Sequence, residues 1–355
     1  MWKVLGLQVA GQSPTVKWTV VTEGPGASRM LLGEHAARVA FLTPIYVPSF
    51  SSYGDADVVR RSLAVLRSVK DAAPASAKGF LFSAHDLASS VRTGGVLDGQ
   101  LEELLKGWSL WWLDNGAFEQ DNLGLPGWRE EDIENIVRRF RPSVAVAFEY
   151  VARDAALSSL EDSIRLALRS AQRLKDLVES VVLLVRPHPG SDLAPLLQTL
   201  DLAQLLDPNG FDVLGVPESS LGSTLDVRLG AIKALRTQLD KVREPKALHI
   251  FGASDPTCLM GYTLAGADIF DGLSWSRYWI DFETASLRDK GLWSPTPGTD
   301  GYSGENHDIH LAVHNVASMH DWMNHIRELV MGRRDASADE KSILNRLGAL
   351  TPGGT

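Results

Sequence analysis

From residue 38 onward the chain alternates short apolar runs with longer amphipathic stretches, and few architectures accept that alternation. The runs are RVAFLTPIYV (38–47), KGFLFSAH (78–85), SLWWLDNG (109–116), VAVAFEYV (144–151), VVLLVRPH (181–188), DVLGVPES (212–219), ALHIFGAS (247–254) and DIFDGLSW (268–275). Between most of them, stretches such as LDGQLEELLKGW, REEDIENIVRRF and STLDVRLGAIKALRTQLDKV carry apolar residues three and four apart, as a helix with one buried face does. Strands alternating with such helices build a parallel sheet with crossover connections. Eight strands, with IHLAVHNVASMHDWMNHIRELVM as the last helix, predict an α/β fold of the (β/α)₈ barrel type. The alternative is an open doubly wound sheet, but no glycine-rich phosphate turn follows the first strand.

Two segments fall outside the repeat. Residues 1–37 contain WKVLGLQV and TVKWTVVTE around Gly and Pro, which predict an antiparallel hairpin covering one barrel end. Residues 281–306, polar and turn-rich, are an insertion between the eighth strand and the last helix. The barrel thus spans 38–332, and residues 333–355 are expected as a polar, loosely held tail.

Composition narrows the function classes. With 355 residues, 44% hydrophobic and 22% charged, the chain has the apolar content for one large core. It has no apolar run of about 18 residues, and MWKVLGLQVAGQSPTVKW lacks the pattern of a secretory leader. A soluble, cytoplasmic protein without membrane contact is expected. Cys258 is the single cysteine, which excludes an internal disulfide and a cysteine-rich metal site; neither metal nor cofactor is expected. A formal charge of −9 argues against non-specific coating of nucleic acid, which needs clustered Lys and Arg. It is compatible with a local basic groove drawn from Arg138, Arg139, Arg141, Arg153, Arg186 and Arg277, each of which also reads as a solvated surface charge.

In a (β/α)₈ barrel the active site forms at the C-terminal ends of the strands. There the sequence places His85, Asp114, Asn115, Glu149, Arg186, His188, Glu218, Ser254, Asp255 and Asp271. Some have plainer readings: Asp255 before Pro256 as a helix N-cap, Glu218 as a turn residue in PESSLGS, His85 as a satisfied core histidine. Asp114 and Asp271 resist such readings, because each directly follows a buried strand and precedes Gly without an obvious helix start. Two carboxylates on facing or neighbouring strands can divide labour, one ionised as nucleophile and the other holding or relaying a proton. A glycosidic carbon is the natural target of such a pair. The aromatic residues point to a flat leaving group.

These motifs resemble those of the tRNA-guanine transglycosylase superfamily, zinc-containing barrel enzymes that break the N-glycosidic bond of a guanine in a nucleic acid and insert a 7-deazaguanine. LHIFGASDPTCLMGYTLAGADIFDGLSWSR is similar to the family's segment ending in a Phe-Asp nucleophile with an Arg six residues on, which matches Asp271 and Arg277. LDNGAFE resembles the family's Asp-Ser-Gly-Gly-aromatic-Gln motif, which implies that Asp114 is the second catalytic aspartate and Phe118 the aromatic that stacks on the base. TPIYVPS matches the first-strand Thr-Pro segment, and VLGVPESSLG lies where the family has its base-recognition strand, which implies Gly215 in the pocket. The similarity covers roughly residues 38–330.

The departures are as informative. The family's base-recognising aspartate is Glu149 in AFEY, and its Gln-Gly-Gly is VRPHPG. His314 lies where the family has its zinc histidine, but the three cysteines that should precede it are missing. The 281–306 region is therefore expected to close by packing through Trp293 and Tyr302. No recognisable tRNA-binding extension is expected after the barrel, and GLSWSRYW resembles DNA-acting members from phage and anti-phage settings.

The resemblance thus implies a DNA glycosylase-type enzyme. A base flipped out of DNA would stack on Phe118 and be read by Glu149 and Arg186, with His85, Asn115, His188 and Gly215 also in the pocket. Asp271 would attack the sugar C1′, Asp114 would transfer protons, and Arg277 would hold the adjoining phosphate, leaving an abasic site. DNA is favoured over tRNA, and a homodimer is left open. Exchange of guanine for a 7-deazaguanine is the rival reaction. A non-catalytic nucleic-acid-binding subunit is the rival of another class, although such a subunit has no physical reason to keep two converging carboxylates. A sugar-only glycosidase ranks last.

Overall fold

The computed structural model describes residues 17–34, 40–51, 63–69, 79–93, 96–106, 108, 110–117, 119, 128–149, 160–187, 193, 205–206, 211–292 and 305–350. Strands β1 (Lys17–Glu23), β2 (Arg29–Glu34) and β3 (Ala40–Leu42) form a small antiparallel sheet. The barrel follows: β4 (Ile45–Phe50), β5 (Leu81–Ser83), β6 (Trp112–Asp114), β7 (Val144–Val146), β8 (Ser180–Leu184), β9 (Val213–Pro217), β10 (Ala247–Phe251) and β11 (Ile269–Gly272). All eight are parallel, and β11 pairs with β4, Ile269 opposite Ile45, so the sheet closes and the open alternative is excluded. Each strand overlaps one of the eight apolar runs, with β4 continuing past its run to Phe50 and β8 starting one residue earlier at Ser180.

The runs are apolar throughout because both faces of the sheet are buried. Val47, Leu81, Trp112, Val144, Val146, Val182, Leu184, Val213, Ala247 and Ile269 fill the barrel interior. Their chain neighbours Phe82, Leu113, Ala145, Val181, Leu183, Leu214, Leu248 and Phe270 pack outward into the layer shared with the helices. Helices Glu130–Phe140 and Leu160–Leu174 bury one stripe each, Ile133, Ile136, Val137 and Phe140 in the first and Ile164, Ala167, Ala171 and Leu174 in the second. Three- and four-residue spacing puts such residues on one helix face.

The expected N-terminal antiparallel hairpin is present within residues 1–37. Lys17–Glu23 pairs with Arg29–Glu34, while WKVLGLQV lies outside the described residues. The run 38–47 is divided, Ala40–Leu42 joining the antiparallel sheet before the barrel strand begins at Ile45. Leu31 N donates to Thr43 Oγ1 at 2.8 Å and Thr43 N donates to Leu31 O at 3.0 Å, which fastens the sheet to the start of β4. From there Trp18 and Leu31 join the interior cluster and close the N-terminal end of the barrel.

After β11 come the short helix Ser274–Arg277 and a hairpin of β12 (Tyr278–Asp281) and β13 (Ser286–Asp289). Asn315, on the helix Glu305–Val330, accepts from Ile280 N at 3.0 Å and donates to Trp275 O and Tyr278 O, both at 2.7 Å. The segment leading into the polar insertion is thereby held against the last barrel helix, and the insertion starts as the β12–β13 hairpin; Trp293 and Tyr302 lie outside the described residues. The expected loose tail contains a packed helix, Ala338–Ala349. Ser337 and Glu340 form its capping box, Ile343 and Leu347 are buried four residues apart, and Lys233 Nζ donates to Leu347 O and Leu350 O. Among the described residues no helix is long and apolar enough to cross a membrane.

Candidate active site

Side chains two apart on a strand face the same way, so the interior apolar layer fixes what stands above it. Two residues beyond Val47, Leu81, Trp112 and Ile269 come Ser49, Ser83, Asp114 and Asp271. All four line a cavity of about 640 Å³ at the C-terminal mouth, together with Ser51, Glu119, Arg186, Glu218, Phe251 and Arg277.

Asp271 is 4% exposed, and its carboxylate is held by both flanking strands. Oδ2 accepts from the Ser49 hydroxyl on β4 at 2.5 Å. Oδ1 accepts from Gly252 N at 3.1 Å and lies 3.0 Å from His249 Nε2 on β10. Gly252 has φ of 78°, a left-handed turn that a side chain would strain. The turn aims its N–H at the carboxylate. Three partners thus surround one carboxylate, two of them donors to it.

Asp114 meets the opposite conditions. Burial first, then the negative charges of Glu119 and Asp271, push its carboxyl up to about 8. Glu119 is also raised, chiefly by burial and further by Asp86, against the hydrogen bond from Ser51 Oγ to its Oε1 at 2.5 Å. Asp114 therefore holds its proton at neutral pH, while Asp271 presents an acceptor.

Other candidate residues separate. Arg186 lines the cavity, but Glu149 does not: it is buried beyond the end of β7 and meets Arg186 Nε at 2.7 Å. Parity alone would turn His85 inward after Leu81 and Ser83, yet a helix begins at Ala84 and rotates it away. It packs edge-on against Trp128, ring centroids 5.5 Å apart, and lies off the cavity wall. Asn115 is on the wall, but its amide is committed to backbone, Nδ2 donating to Ala147 O and Oδ1 accepting from Ala117 N, both at 2.9 Å. Gly215 is covered by Phe251; a Cβ there would sit 2.5 Å from Phe251 Cε2. Its role is to let that ring lie across the interior and form the wall. Arg277 is exposed at the rim. Phe118 and His188 lie outside the described residues.

Glu218 lines the cavity while accepting from Tyr262 Oη at 2.6 Å and Arg228 Nη1 at 3.0 Å, and Asp255 caps the helix Pro256–Leu264 through Cys258 N. Among the described residues no three His, Cys, Asp or Glu side chains form a metal-ligand group. Reading the strand ends missed Ser49, Ser83, Glu119 and His249. Counting by twos from the inward Val47, Leu81 and Ala247 would have found Ser49, Ser83 and His249; Glu119 lies beyond its strand, where that count no longer holds.

Fold and site together define a (β/α)₈ barrel whose C-terminal mouth holds two acids in contrasting environments. Comparison with protein-family models gives no match, and comparison with curated proteins gives none either.

Proposed function

We propose that this protein is a DNA glycosylase-type enzyme, cleaving the N-glycosidic bond of a nucleobase, modified bases included, and leaving an abasic site. The observation that carries the reading is the contrast between the two acids: Asp271 is furnished with hydrogen-bond donors, whereas Asp114 keeps its proton to about 8. Asp271 then supplies the nucleophile for C1′, and Asp114 the proton for the departing base. The cavity volume of about 640 Å³ suits an extruded nucleotide. Arg277 and Tyr278 at its rim supply a cation for phosphate and a ring for stacking. The likeness of GLSWSRYW to DNA-acting transglycosylase relatives favours DNA over tRNA and a role in anti-phage defence.

The test is incubation of the protein with DNAs carrying unmodified and modified bases, followed by alkali and mass analysis of what is released. Free base and alkali-labile sites are expected. Asp271→Asn should lower the rate by orders of magnitude at an unchanged melting temperature. Incorporation of labelled 7-deazaguanine into DNA that survives alkali would replace the reading by base exchange. Failure of every DNA to yield a base would reject it.

A further inference from the structure

The two oxygens of Asp271 are not equivalent. Gly252 N and His249 Nε2 occupy Oδ1, at 3.1 and 3.0 Å, which engages both of its in-plane lone pairs. Among the described residues Oδ2 has the Ser49 hydroxyl alone, and one lone pair remains. His249 is 0% exposed, its ring stacked on Phe251 with centroids 3.9 Å apart and edge-on to Trp112 at 5.4 Å. Among the described residues its Nδ1 is buried without a hydrogen-bond partner. A bare Nε2 would set a lone pair against the carboxylate at hydrogen-bond distance and bury the remaining N–H without an acceptor. The hydrogen therefore belongs on Nε2, which donates to Oδ1.

We propose that Asp271 attacks through Oδ2 and that His249, which is not on the cavity wall, is a positioning residue that holds Oδ1 and receives the charge returning to it. This rests on the base-releasing reading. Oδ2 bonds to C1′ as the C1′–N bond breaks, and the electron pair leaves on the base, which takes the proton of Asp114. Water then attacks C1′, its proton passes to Asp114, and the C1′–Oδ2 pair returns to Asp271. The carboxylate loses charge in the first step and regains it in the second. Donors on Oδ1 thus favour release of the sugar more than its capture.

His249→Phe keeps a ring against Phe251 and deletes the donor; His249→Gln keeps a donor. In His249→Phe, mass spectrometry should find covalent glycosyl-enzyme accumulating while steady-state base release falls about 10²-fold, the cost of one such donor. His249→Gln should recover most of that loss. Wild-type turnover in His249→Phe, or equal loss in both variants without adduct, would overturn the proposal. Nitrogen-15 NMR of His249 judges the clamp apart from the reaction. A proton on Nε2 whose shift changes in Asp271→Asn is expected, and a proton on Nδ1 alone overturns the clamp even if no DNA yields a base.

Discussion

Asp114 and Asp271 are the same side chain set to different tasks by their surroundings. The Asp114 carboxyl, ordinarily near 3.8, holds its proton to about 8 because burial, first, and then the neighbouring carboxylates Glu119, Asp271 and Glu149 disfavour the ionised form. As the general acid it is competent below that value, so kcat/KM for base release should fall roughly tenfold per pH unit above about 8. The same shift lowers stability. Between 3.8 and about 8 the unfolded chain has lost this proton while the folded chain retains it, so stability declines as pH rises through that window. Asp114→Asn removes the titration. It should melt above wild type at neutral pH, lose that advantage below pH of about 4, and release no base. An advantage independent of pH in thermal melts would contradict the assignment.

At the level of elements, β9 and β10 shape the cavity through a missing side chain. Gly215 leaves room for Phe251, and Phe251 in turn supports the His249 ring. A Cβ at position 215 would also meet Val182 Cγ1 at 3.0 Å, so the site is closed from two sides and the Phe251 ring, at 2.5 Å, is the nearer obstacle. Gly215→Ala should destabilise by about 1–3 kcal/mol through overpacking, read from urea denaturation, and reduce base release beyond what its folded fraction accounts for. Unchanged stability and turnover would show that Phe251 shifts without consequence.

On the scale of the whole molecule, the barrel separates stability from chemistry by end. Trp18 and Leu31 seal the N-terminal end in the interior cluster, and the acids occupy the C-terminal mouth. Trp18→Ala should cost about 3–5 kcal/mol, seen as a lower denaturation midpoint, while base release per folded molecule persists at temperatures where the fold holds. Loss of activity in a fully folded Trp18→Ala protein would mean that the two ends are coupled.

The eight barrel strands are legible in the sequence because burial on both faces leaves each as an unbroken apolar run, a local signal. Asp114 and Asp271 are legible for the same reason: an acid that interrupts the end of such a run stands out. The pairing of Lys17–Glu23 and the packing of Ala338–Ala349 are not, since both depend on surfaces supplied from elsewhere in the chain. Nor is the sorting of strand-end residues, where the helix onset at Ala84 turns His85 aside and Glu149, past the end of its strand, pairs with Arg186 off the cavity wall. The sequence alone determined how many barrel strands there are, in what order, and which two of them end in acids. Only barrel closure decided what each acid meets. Asp271 takes His249 from 22 residues away and Ser49 from 222 away, because closure puts β10 and β4 on either side of β11, and no local pattern records a neighbour across that seam.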